Sequence, residues 1–281
     1  MGGWGLARQM AAMRTKRSFA SHLFAAKTLW LSRVMMRVLA HFSVFIFLTA
    51  ISQLGGLAWL LAIFFRHRAI VFVSTYIVLS ASALWIAPMF GREPLPCLSN
   101  ETLEMRSVFY CALNRQYLVP ELKSVLKDYS AKMEGAFPGT KTLVLDANFP
   151  FFSGFPLLPH ISHDDGRKVD LAYYYESDQV YLPGVTRSPI GYFAFENGPT
   201  DCPDNVFTLR WDLAWLQTIW PDYQLERMRM KAALQLLAED NRVGKIFIEP
   251  HLKLRFGFDS DKIRFQGCRA ARHDDHIHIQ L

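Results

Sequence analysis

Two short windows of the 281-residue chain hold the side chains best suited to chemistry, and together they carry five of its nine histidines. One is Pro159-His160-Ile161-Ser162-His163-Asp164-Asp165-Gly166-Arg167-Lys168-Val169-Asp170-Leu171. The other is His273-Asp274-Asp275-His276-Ile277-His278-Ile279-Gln280-Leu281. Read as a strand, the second window sends His276 and His278 to one face. Ile277, Ile279 and Leu281 go to the other, where they can anchor the strand in a core. Two imidazoles fixed in parallel suit metal binding, or one ligand beside one acid–base group. The first window supplies complementary groups. Gly166 allows a tight turn between His163 and Asp170. An Asp set between Val169 and Leu171 at a strand start is half-buried and needs a positive partner. A zinc ion would serve. Two His and one Asp leave a fourth position open for water, the catalytic arrangement as opposed to the closed structural one.

These residues resemble the zinc peptidases that include lysostaphin, the D-Ala-D-Ala peptidases and the hedgehog signalling domain. In particular they resemble the penicillin-insensitive murein endopeptidases. That group carries S-H-x-x-G-x-x-V-D-I/L, matched from Ser162 to Leu171. It ends with H-x-x-H-x-H and alternating apolar residues, matched by His273, His276 and His278. Between the two motifs it has a helix and a short strand ending in Pro, and Ala232 to Pro250 is similar. The resemblance covers about 150–281.

The resemblance implies roles. One Zn²⁺ is held by His163, Asp170 and His278, and His276 is the catalytic base or transition-state stabiliser. His160 and His273 match further active-site histidines. Asp275 stands three residues before the last ligand, where other branches carry a catalytic Glu. Arg167 and Arg187, with Lys168, are candidates to bind an anionic peptide. The implied activity is hydrolysis of an amide in peptidoglycan stem peptides or cross-links, by an endopeptidase or a D-Ala-D-Ala carboxypeptidase-like enzyme. The alternative is a non-catalytic metal- or peptidoglycan-binding domain on the same scaffold.

The elements that must position these groups read as α+β: a small antiparallel sheet with flanking helices, preceded by two transmembrane helices. Residues 92–117 read as linker and entry segment, and 118–281 as the peptidase-like domain. Within it, helical apolar spacing covers 118–136, 209–220 and 225–240. Strands are expected over 141–149, 169–176, 245–250, 252–256 and 276–281, with loop over 150–162.

Ahead of this domain lie uncharged apolar runs over 38–65 and 69–91, each long enough as a helix to cross the roughly 30 Å hydrocarbon core. Residues 1–91 hold nine Lys/Arg and no Asp or Glu, which leaves 22 basic against 25 acidic side chains in the remainder. The net charge of +6 therefore sits beside the apolar runs and not on the folded domain, which excludes a nucleic-acid-binding reading. The basic segment 1–37 favours a cytoplasmic N-terminus, and with it a cytoplasmic domain, whereas Arg66-His67-Arg68 favours the reverse. Translation from Met35 or Met36, or an interfacial helix over 18–32, would reconcile the two. The domain is expected in the periplasm, tethered to a bacterial inner membrane. Cys97, Cys111, Cys202 and Cys268 match no zinc-finger spacing. They are compatible with two disulfides in any of three connectivities, or with four free thiols.

Overall fold

The computed structural model describes residues 30–97, 99, 101–158, 160–200, 202–203 and 210–281. Most of the basic N-terminal segment, and the interfacial helix expected over 18–32 as far as residue 29, lie outside the described residues.

Two helices are long and apolar enough to cross a membrane: α1, Trp30–Ser52, and the unit Arg68–Phe90. The latter is helix α3 (Arg68–Ile86) continued by a 3-10 turn, Ala87–Phe90. The uncharged run 38–65 is not one span. It breaks at Gln53, whose φ is 61°, and resumes as the short helix α2, Gly55–Ala62. Ser52 and Thr49 turn their hydroxyls onto the carbonyls of Leu48 and Phe45, which ends α1 locally. At Gly56 a Cβ would stand 2.8 Å from the Phe45 carbonyl, so glycine lets α2 fold back along α1. At eight residues, α2 is only about 12 Å long, too short to cross a bilayer.

The remaining elements build a mixed domain that begins before residue 118. In chain order they are β1 (Glu93–Pro94), β2 (Leu103–Met105), α4 (Val108–Ala112), β3 (Tyr117–Leu118), α5 (Pro120–Ala136), β4 (Thr142–Val144), β5 (Lys168–Ala172), β6 (Tyr175–Ser177), β7 (Val180–Tyr181), α6 (Ala214–Gln217), β8 (Gln224–Leu225), α7 (Arg227–Glu239), β9 (Lys245–Phe247), α8 (Pro250–Phe256), β10 (Ile263–Arg264) and β11 (His276–Gln280). The stretch expected to be linker thus supplies an edge strand.

The main sheet is larger than expected and is mixed. Six strands run in the order β10-β9-β11-β5-β4-β2, with β2–β4 and β9–β10 parallel and the others antiparallel. The alternation in β11 behaves as its sequence requires. Ile277 and Ile279 are fully buried in one core with Val169 and Leu171 of β5 and with apolar residues of α5 and α7. Helix α5 starts on Pro120 and buries Leu122, Val125, Leu126, Tyr129 and Met133, the helical stripe seen in the sequence. The stretch 252–256 is helix and not strand. Pro250 opens it, Leu252 and Phe256 are buried four apart, and Leu254 is 80% exposed. An alternating L-K-L-R-F fits either period, and burial chose the helical one. Of the helix expected over 209–220, only Ala214–Gln217 forms among the described residues.

Candidate metal centre

Strands β5 and β11 pair antiparallel, with His278 opposite Asp170 and His276 opposite Ala172. Cross-strand partners project to the same face, so this register brings a carboxylate and an imidazole together. The turn before β5 delivers the third group. His163 lies at 1% exposure, and its Nδ1 donates to the Ala147 carbonyl at 2.8 Å. A carbonyl can only accept, so the hydrogen bond fixes the ring and leaves Nε2 as the atom facing His278 and Asp170. Gly166, at φ 80°, holds that turn. It has no room for a Cβ beside the Arg92 guanidinium, which donates to the Asp165 carbonyl. The Asn148 amide oxygen accepts from Gly166 N at 2.9 Å.

Three donor atoms then form a small triangle. His163 Nε2 is 3.1 Å from His278 Nδ1 and 3.3 Å from Asp170 Oδ1, and His278 Nδ1 is 2.8 Å from Asp170 Oδ1. Three such atoms within 3.3 Å of one another are close enough to converge on one metal ion. His160, His163 and Asp170 form an overlapping group, with donor atoms within 4.8 Å of one another, that could hold a metal ion. The rings differ in protonation. Burial alone would lower His160, but the carboxylates of Asp170 and Asp146 outweigh it and raise its pKa to about 10. His278 is pushed the other way by burial, down to about 4, and is a neutral ring. Asp170 is held well below the usual carboxylate range: burial opposes this, and His163, His276 and His160 overcome it.

The surrounding groups are ordered by hydrogen bonds. His276 Nδ1 donates to Asp275 Oδ1 at 2.5 Å, which leaves Nε2 facing Asp170 Oδ1 at 3.6 Å. Burial opposes a charge on His276, but Asp170 and Asp275 raise its pKa above the ordinary imidazole value. Asp275 also accepts from Phe193 N at 2.6 Å, so this carboxylate is spent on holding His276 and the 190s loop. The His273 ring lies 4.8 Å from that of His276, and burial keeps it neutral. Asp146 accepts from Nε and Nη2 of Arg115, each at 2.6 Å.

One participant has no sequence signal. Tyr192 lies in the irregular stretch after β7, and its hydroxyl donates to Asp170 Oδ2 at 2.6 Å. It fixes the oxygen that the two histidines leave free. The two arginines expected to bind substrate are engaged elsewhere. Arg167 pairs on the surface with Glu121 at 3.2 Å, and Arg187 donates to the carbonyls of Pro221 and Phe195 and to Glu196. Neither lines the two cavities beside the histidines. Lys168 bridges Asp164 and Asp165 at the strand start.

No family model matches the chain, and no curated protein matches it.

Proposed function

We propose that the protein is a membrane-anchored, zinc-dependent peptidase. The observation that carries this reading is the buried donor triangle of His163, Asp170 and His278, two of whose members line a cavity, beside a histidine backed by a carboxylate. These three residues would hold the ion. When bound, zinc supplies Lewis acidity for the scissile carbonyl and brings the pKa of a water toward neutrality. The chain's own groups do the rest. Asp275 accepts a hydrogen bond from His276 Nδ1 and so holds the ring with Nε2 toward Asp170 and the cavity. A metal ion held by Asp170 would offset the carboxylate charge that raises the His276 pKa, and the neutral His276 would then accept a proton from the attacking water and return it to the leaving amine. Tyr192 keeps Asp170 in one orientation by holding its second oxygen.

The domain works on the outer side of a bacterial inner membrane in this reading. Two disulfides, Cys97–Cys111 and Cys202–Cys268, support an oxidising compartment. The helices α1 and α3 are the anchor. Amides of peptides at that surface are the substrates, cell-wall stem peptides among them by the resemblance of the two motifs. The test is turnover by the zinc-loaded full-length protein in detergent micelles. His276→Ala retains its zinc and loses about 10²–10⁴-fold in turnover. Loss of the metal with the activity would make His276 a ligand, and undiminished turnover would remove it from the chemistry.

A further inference from the structure

Two cavities meet at the histidine cluster and share His160, Ala271 and His276 as walls. They differ in chemistry. One, of about 160 Å³, contains Asp170, His273 and His278 and is bordered by Ser162 and Gln266. The other, of about 180 Å³, is walled by Phe109, Ile190, Phe193, Phe195, Trp211 and Leu213. Its charged neighbours are already neutralised. Arg115 pairs with Asp146, His160 with Asp146 and Asp170, Arg272 with Asp274, and Asp275 is bonded to His276 and to Phe193 N. Among the described residues this arm offers an anionic or polar group no unpaired charge. Apolar cavities near 150 Å³ admit a benzene ring.

Resting on the zinc peptidase reading, we propose that the aromatic-walled cavity is a specificity pocket for the substrate. The preferred amide carries an aromatic or branched apolar group on one side of the scissile bond, and its polar side lies along Ser162 and Gln266. Short methyl-bearing or carboxylated residues, such as those of stem peptides, would leave this arm unfilled. One wall adjoins the apolar helices: Phe109 belongs to α4, and the α4 residue Ala112 accepts a hydrogen bond from Tyr76 of α3 at 2.6 Å. The apolar group can therefore be a peptide side chain or an acyl chain arriving along the membrane helices.

The test uses the full-length, zinc-loaded protein in micelles and reads hydroxamate binding by calorimetry. Acetohydroxamate probes the metal cluster alone, 3-phenylpropionohydroxamate adds an aromatic ring, and octanohydroxamate adds an acyl chain. The phenyl or the octanoyl compound binds on the order of 30-fold tighter than acetohydroxamate. Ile190→Trp, which fills the cavity, abolishes that gain and leaves acetohydroxamate unchanged. Trp211→Ala, at an exposed wall position, weakens the gain if Ile190→Trp fails to fold. A gain confined to the phenyl compound identifies a side-chain pocket, and a larger octanoyl gain identifies an acyl channel. Equal affinity for all three, or a gain that survives both variants, overturns the pocket while the metal reading stands. A protein that takes up zinc poorly and binds none of the three overturns the metal reading, and the pocket with it.

Discussion

At the residue scale the site depends on which atom of each group is free. His163 is committed through Nδ1 to the Ala147 carbonyl and Asp170 through Oδ2 to Tyr192, so His163 Nε2 and Asp170 Oδ1 are the atoms that converge. Tyr192→Phe removes the hydrogen bond to Asp170 and a longer one to His160 Nδ1 and leaves the ring in place. We expect it to fold normally, to lower zinc affinity by about 10- to 100-fold, and to slow turnover through that loss alone. Competitive chelator titration measures it, and wild-type affinity would mean that His160, 2.9 Å from Asp170 Oδ2, holds that oxygen without Tyr192. The two histidine windows were readable because spacing on a strand fixes the face. Tyr192 was not, because it reaches Asp170 from a loop 22 residues away with no periodicity to announce it. Arg167 and Arg187 read as free cations in sequence because nothing in a sequence shows that Glu121, Glu196 and backbone carbonyls occupy them.

At the element scale, the pairing of β5 with β11 makes the site and the helices on the opposite face hold it. Strand β11 declared itself through alternating Ile, as α5 did through its apolar stripe. The lengths of β4 and β5 and the helical state of 250–256 depended on tertiary burial that local pattern does not encode. The end of α7 offers a pH test away from the histidines. Asp240 accepts two hydrogen bonds from the Arg242 side chain, and these, opposed by burial, lower its pKa to about 2 from 3.8. Because the folded value is the lower one, the stabilisation is complete above pH 4 and is lost as pH falls toward 2. With Arg242 a third exposed, the contribution is about 1 kcal/mol. Asp240→Asn should therefore melt a few degrees below the native protein at pH 7, and the two curves should converge near pH 2. A gap that persists to pH 2 would assign the effect to the helix end and not to the ion pair.

At the scale of the whole molecule, the apolar helices and the histidine cluster are tied together by side-chain hydrogen bonds. Asn114 donates to Tyr76 Oη at 3.0 Å and to Ser80 Oγ at 3.1 Å, so the domain rests against the middle of α3 and not merely on its end. Gln53, at the break between α1 and α2, exchanges two 2.9 Å hydrogen bonds with Phe151. Arg92, the first charge after the apolar run, reaches the Gly166 turn between His163 and Asp170. The sequence showed the apolar runs but not the fold-back at Gly56, since hydropathy is blind to a single left-handed residue at Gln53. A reporter active only in the periplasm, fused after Leu281, should be active when translation starts at Met1. Activity only from a start at Met35, or from neither, would reassign the start or the side. The disulfide separations of 14 and 66 residues are each worth about 3–4 kcal/mol of chain entropy. The central claim, that His163, Asp170 and His278 hold a metal, is tested most directly by the metal content of the purified full-length protein and two single variants. The account predicts about one zinc per chain in the native protein and in His160→Ala, and none in His278→Ala. Zinc retained by His278→Ala and lost from His160→Ala would contradict it and move the site to the overlapping group of His160, His163 and Asp170.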